Sequence, residues 1–95
     1  GTNLMVDMPV SFIDAALGTD IEVAAYPEGS IKLRLPAGTQ TGSVFRVKGA
    51  GISDGESNGD LLVTINITVP RELNDNQRSA LENLSQLFTE DTPEP

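Results

Sequence analysis

Leu61-Leu62-Val63-Thr64-Ile65-Asn66-Ile67-Thr68-Val69 alternates without interruption, with Leu61, Val63, Ile65, Ile67 and Val69 on one face and Leu62, Thr64, Asn66 and Thr68 on the other. A period of two in a run rich in β-branched residues predicts a strand with one buried face. Pro70 cannot donate to a ladder and ends it. Upstream, Leu4, Val6, Met8 and Val10 repeat the pattern against Met5, Asp7 and Pro9, which predicts a second strand with Pro9 at an edge or terminus. Ile21 to Tyr26 and Ile31 to Leu35 read as two more, reversed by Pro27-Glu28-Gly29-Ser30, and Val44 to Lys48 as a fifth. Residues 36 to 43 and 49 to 60 carry glycine and polar side chains with no apolar period, and read as connections.

Two helices interrupt this pattern. Ser11 stands three residues before Asp14 and Gly18 supplies a stop, so Phe12 to Leu17 reads as a helix of one or two turns, docked by Phe12, Ala16 and Leu17. Asn74 with Gln77 forms a second capping box, and Leu81, Leu84, Leu87 and Phe88 follow as an apolar stripe on a helix of about residues 74 to 88. The acidic stretch 89 to 95 reads as a fraying tail. Strands close in sequence, without long helical crossovers, predict a mainly β fold: a small antiparallel sandwich with a short capping helix and a C-terminal helix.

Composition narrows the chemistry. In 95 residues there is no cysteine and no histidine, which removes thiolate catalysis, disulfides and the commonest base and metal ligand. No run approaches the roughly 18 apolar residues of a membrane span, and nothing at the start resembles a signal segment, although Gly1-Thr2-Asn3 leads straight into a strand, as in a chain that begins mid-protein. Fourteen acidic against six basic residues give a net charge of -8, which opposes attraction to nucleic acid or an anionic membrane. Lys32, Arg34, Arg46 and Lys48 alternate with apolar residues and would form a local basic stripe if their two segments paired.

Four pieces in order, Val10-Ser11-Phe12-Ile13-Asp14-Ala15-Ala16-Leu17-Gly18, Leu35-Pro36-Ala37-Gly38-Thr39-Gln40-Thr41-Gly42, Phe45-Arg46-Val47-Lys48-Gly49-Ala50-Gly51-Ile52 and Gly59-Asp60-Leu61 through Pro70, resemble the second C-terminal domain of the DnaJ family of J-domain co-chaperones. The resemblance covers about residues 3 to 88. It implies a small β-sandwich from a parent that captures unfolded polypeptide and passes it to a DnaK-type ATP-driven chaperone in the cytoplasm, without being an enzyme. It also implies homodimerisation through the C-terminal helix, with Leu81, Leu84, Leu87 and Phe88 as the contact; client-binding residues stay unassigned. The His-Pro-Asp motif of a J domain and the Cys-x-x-Cys-x-Gly-x-Gly repeats that hold zinc in one class are absent from this sequence. Neither ATPase stimulation nor zinc, nor any other cofactor, is therefore expected of this segment.

Other motifs yield plainer readings. Asp54, Glu56 and Asp60 offer hard oxygen ligands, but Ile65 stands where an EF-hand needs its bidentate Glu, so a solvated turn is expected in place of a calcium site. Gly49-Ala50-Gly51 lacks the spacing and the following helix of a dinucleotide loop. Asp14 with Glu22, or Asp7 with Asp20, are carboxylate pairs with no sign of a shared pocket. The sequons Asn66-Ile67-Thr68 and Asn83-Leu84-Ser85 would matter only in a secreted protein. Met5, opposite the buried positions of its strand, is the one adaptable side chain suited to an exposed apolar groove. A ligand-binding sandwich, such as a carbohydrate module, is the alternative, weakened by a single Tyr26 beside three phenylalanines.

Overall fold

A computed structural model describes residues 1–24 and 29–91. Along the chain run β1 (Leu4–Ser11), α1 (Phe12–Leu17), β2 (Thr19–Ala24), β3 (Ser30–Leu35), β4 (Val44–Val47), β5 (Leu61–Thr68) and α2 (Asp75–Asp91). One sheet has the order β1-β5-β4 and the other is the β2-β3 hairpin. The chain is mainly β, a small sandwich-like domain followed by a helix. The reversal at Pro27-Glu28 and the aromatic Tyr26 lie outside the described residues.

Alternation holds where it was clearest. Leu4, Val6, Met8 and Val10 turn inward on β1, and Leu61, Val63 and Ile65 are sealed on β5. With Ala15 of α1, Val23 of β2 and Leu35 of β3 they form one core joining the two sheets. Val69 departs from the pattern: β5 ends at Thr68 and Val69 is exposed, because no partner strand continues beside it and Pro70 follows.

Antiparallel pairing holds for β2–β3 and β4–β5, whereas β1 and β5 run parallel, Leu4 opposite Leu61 through Ser11 opposite Thr68. A parallel pair needs a long crossover; here the hairpin, α1 and β4 supply it in place of a single long helix. The basic stripe does not form by pairing, since β3 belongs to one sheet and β4 to the other. Arg34 instead bridges to Asp20 at 3.4 Å, Lys32 stands opposite Glu22, and Arg46 bridges to Asp60 at 3.5 Å. Lys32 and Arg34 thus stand opposite carboxylates of β2, and Arg46 pairs with the residue just before β5.

α1 is capped as its sequence predicts: the Asp14 N–H donates to Ser11 Oγ at 3.1 Å, and the Gly18 N–H closes the last turn on the Asp14 carbonyl. Gly18 sits at φ 86° against the backbone of Leu35 and Ala37, a conformation and an approach that a side chain would strain. The docking face is corrected, however. Ala15 is buried and Phe12 half-buried, while Ala16 and Leu17 are exposed; in a helix of six residues the i, i+3 pair Phe12 and Ala15 sets the inward stripe.

Candidate functional site

The segment 36 to 43, expected to be a bare connection, is a hydrogen-bonded clasp. Gly38 and Thr39 N–H groups donate to the Ala15 carbonyl at 2.9 and 3.1 Å, satisfying an acceptor of α1's last turn. The Thr39 hydroxyl, on a buried side chain, donates to the Pro36 carbonyl at 2.6 Å. Farther on, Gly42 N–H donates to the Ile65 carbonyl, Ile65 N–H to the Ser43 carbonyl, and Ile67 N–H to Thr41 Oγ1 at 3.0 Å. The loop thus extends the β4 edge along β5 and ties α1 to the sheet. Hydroxyl residues spaced between glycines were the sequence signal for this, since such side chains substitute for strand partners in tight loops.

Between α1 and the clasp lies an open groove of about 420 Å³, lined by Phe12, Ala15, Ala16, residues 38 to 41 and Ile67. Its lining mixes the apolar Phe12, Ala15, Ala16 and Ile67 with Thr39, Gln40 and Thr41, whose side chains are each engaged in a hydrogen bond within the clasp or to β5. No ionisable side chain is among the lining residues, so they supply no general acid or base.

The second feature is α2. Asn74 and Gln77 exchange side-chain and backbone hydrogen bonds at 2.9 and 2.8 Å, the reciprocal cap expected of them. The helix runs through Asp91, three residues past the expected end, and the Thr89 hydroxyl donates back to the Ser85 carbonyl at 3.0 Å. Leu81 is half-buried, but Leu84, Leu87 and Phe88 are 42, 55 and 60% exposed. α2 meets no strand, and not α1 either, over more than isolated points. Leu84, Leu87 and Phe88 are therefore largely uncovered, while Leu81 is partly shielded.

The remaining candidates do not converge. Asp54 folds back on its own loop, accepting from the Ser57 and Glu56 N–H groups and from the Gly1 ammonium, which together hold its carboxyl down to about 2. Asp60 accepts from Gly49 N–H at 3.0 Å and faces Arg46. Among the described residues no three acidic side chains gather as metal ligands. Met5 stands 77% exposed on the outer face of β1, away from the groove's lining. Among the described residues no helix is long and apolar enough to cross a membrane.

The sequence matches a known family. The model of the DnaJ C-terminal domain matches residues 1–70. The chain belongs to the DnaJ family. Among relatives, the chaperone protein DnaJ 2 of Cutibacterium acnes is 45% identical over all of this chain and a quarter (25%) of its own length. The chaperone protein DnaJ of Ruminiclostridium cellulolyticum is 43% identical over 99% of the chain and 25% of its own, and that of Latilactobacillus sakei 48% identical over 86% and 22%. The chain spans about a quarter of the length of these DnaJ relatives. The matched DnaJ domain holds both sheets, the clasp and the groove, while α2 follows it.

Proposed function

We propose that this segment is the second C-terminal domain of a cytoplasmic DnaJ-type co-chaperone, and that its main task is to pair two copies and hold their client-capturing parts apart. The parent would bind unfolded polypeptide and deliver it to a DnaK-type chaperone. The supporting observation is α2: a well-capped amphipathic helix with Leu84, Leu87 and Phe88 exposed and neither a strand nor α1 packed against it over more than isolated points. Apolar residues at this spacing and exposure call for a partner surface. Two helices burying four large side chains each, at roughly 25 cal/mol per Å² and less the cost of association, give pairing of about micromolar strength. The segment's role is mechanical, and it uses neither catalysis nor a cofactor.

Analytical ultracentrifugation across a concentration series, on the wild type and on Leu84→Asp, tests this reading. Reversible pairing of the wild type and a folded monomeric variant are expected; two monomers at every concentration would reject it. A second reading, weak direct client binding, is favoured by the groove beside α1. The monomeric Leu84→Asp chain would then still bind a fluorescent unfolded peptide, and Ala16→Asp on the groove lining would weaken that binding without unfolding the domain. Equal binding with and without the Ala16 change would reject the groove.

A further inference from the structure

Asn58 is the only asparagine of the chain that is followed by glycine. In such a pair the glycine nitrogen has no neighbouring Cβ to hinder it, and the backbone turns freely enough to bring it onto the asparagine side chain. The nitrogen of Gly59 would lose its proton and form a bond to Asn58 Cγ, the Cγ–Nδ2 bond would break, and ammonia would leave behind a cyclic succinimide. Water then opens the ring at either carbonyl. One route gives an aspartate at position 58; the other gives an isoaspartate, in which the main chain runs through Cβ and Cγ. Water is the only co-reactant, and no electrons change hands.

The fold withholds that nitrogen. Gly59 is buried, its N–H donates to the Ile52 carbonyl at 3.0 Å, and its carbonyl accepts from the Gly51 N–H at 2.9 Å. The next residue is fixed as well: Asp60 N–H donates to Asn3 Oδ1 at 2.7 Å, and Leu4 N–H donates to the Asp60 carbonyl at 2.9 Å. Residues 1–3 close the arrangement as a strap. Thr2 and Ile52 exchange N–H to carbonyl bonds at 3.0 and 2.8 Å, so the Ile52 carbonyl accepts from Thr2 and Gly59 together. There is no slack, since a Cβ on Gly51 would stand 2.6 Å from both the Gly59 carbonyl carbon and the Thr2 oxygen, and one on Gly59 would overlap the Thr2 carbonyl. Asn58 itself is exposed, so water for the second step is at hand. We infer that Asn58 is a deamidation site that residues 1–3 hold shut, reacting when this strap leaves the loop 49–60 and frees the Gly59 nitrogen. Reaction then makes the opening permanent. An isoaspartate inserts a carbon into the main chain just before Gly59, which can no longer meet Ile52 and Gly51 together. Either product adds a negative charge to a loop that already carries Asp54, Glu56 and Asp60. The modification thus records past opening of the segment that leads into β1.

Incubation at mildly alkaline pH, followed by peptide mass spectrometry, reads deamidation at position 58, and labelling by an isoaspartyl methyltransferase reads the rerouted product. The samples are the folded wild type, the wild type in guanidinium chloride, and Asn3→Ala, which removes the acceptor of Asp60 N–H and lies outside the core. The folded wild type should deamidate at least about tenfold more slowly than the denatured chain. Asn3→Ala should react about two- to tenfold faster than the folded wild type, with amide exchange of residues 61 to 68 at the wild-type level. Gly51→Ala, which crowds Thr2 and Gly59, should act in the same direction and more strongly. A folded wild type that reacts as fast as the denatured chain overturns the closure, and no product in either sample overturns the site. Both variants reacting at the wild-type rate overturn the strap as the gate. A faster rate matched by an equal loss of protection in β5 overturns it too, because reaction then runs through global unfolding.

Discussion

Leu61, Val63 and Ile65 of β5 and Leu84, Leu87 and Phe88 of α2 are equally apolar, yet the first three are at most 1% exposed and the others 42 to 60%. β5 lies between β1 and β4, so its backbone is bonded on both edges and its inner face closes on the core. α2 satisfies its backbone internally, and neither a strand nor α1 packs against it over more than isolated points. The difference separates a core that the chain closes by itself from a helix whose stripe, on the proposed reading, is closed by a second copy. A helix of 17 residues without tertiary support is marginal in water, so the stability of α2 and that of the domain should respond to different changes.

The largest effect is expected in the core. Ile65→Ala should cost about 2–5 kcal/mol and lower the Tm of the domain by about 10 °C or more in thermal denaturation, whereas Leu87→Ala should leave that Tm nearly unchanged at dilutions where the chain is monomeric. Equal losses would erase the contrast. Next comes Gly18→Ala, which forces a side chain into φ 86° with Ala37 N at 3.0 Å and Leu35 O at 3.1 Å; about 1–3 kcal/mol should be lost in urea unfolding, and again only from the domain. Asn74→Ala reverses the pattern. Loss of the reciprocal cap should cost α2 about 1 kcal/mol, visible as reduced helical circular dichroism with the β-sheet amide resonances in place.

The smallest effect is a pH response confined to the loop 53–58. Because folding lowers the Asp54 carboxyl from 3.8 to about 2, its contribution is complete above about pH 4 and disappears as pH falls toward 2. The Glu56 and Ser57 amides, which Asp54 holds, should lose hydrogen-exchange protection in that window, and Asp54→Asn should flatten the response. Protection that stays constant from pH 4 to 2 would remove Asp54 from the loop's design.

Local signals were readable in the sequence where one residue and its near neighbours settle the matter. Ser11 with Gly18, Asn74 with Gln77, and the alternation of β1 and β5 each report a bond or a face within a few residues. What depends on distant neighbours was not. Alternation says that Leu4 and Leu61 face inward but not that their strands run parallel, and it marks Lys32 and Arg46 as outward without saying that they belong to different sheets. The phase of α1 was ambiguous because six residues span less than two turns, so Leu17 could be taken for a docking residue when Ala15 is the buried one. The groove was invisible for the same reason: Phe12, Gly38 to Thr41 and Ile67 meet only after the clasp closes. The stripe of α2, by contrast, was legible as a pattern, and the second copy proposed for it comes from the family resemblance.

The central claim is that α2 depends on a second copy and the β domain does not. Amide hydrogen exchange followed by mass spectrometry over a dilution series from well above to well below micromolar tests it most directly. Protection of residues 78 to 90 should fall steeply on dilution while that of residues 61 to 68 stays constant. Protection of α2 that persists unchanged at the lowest concentration would show that the helix is stabilised within one chain, and would contradict the account.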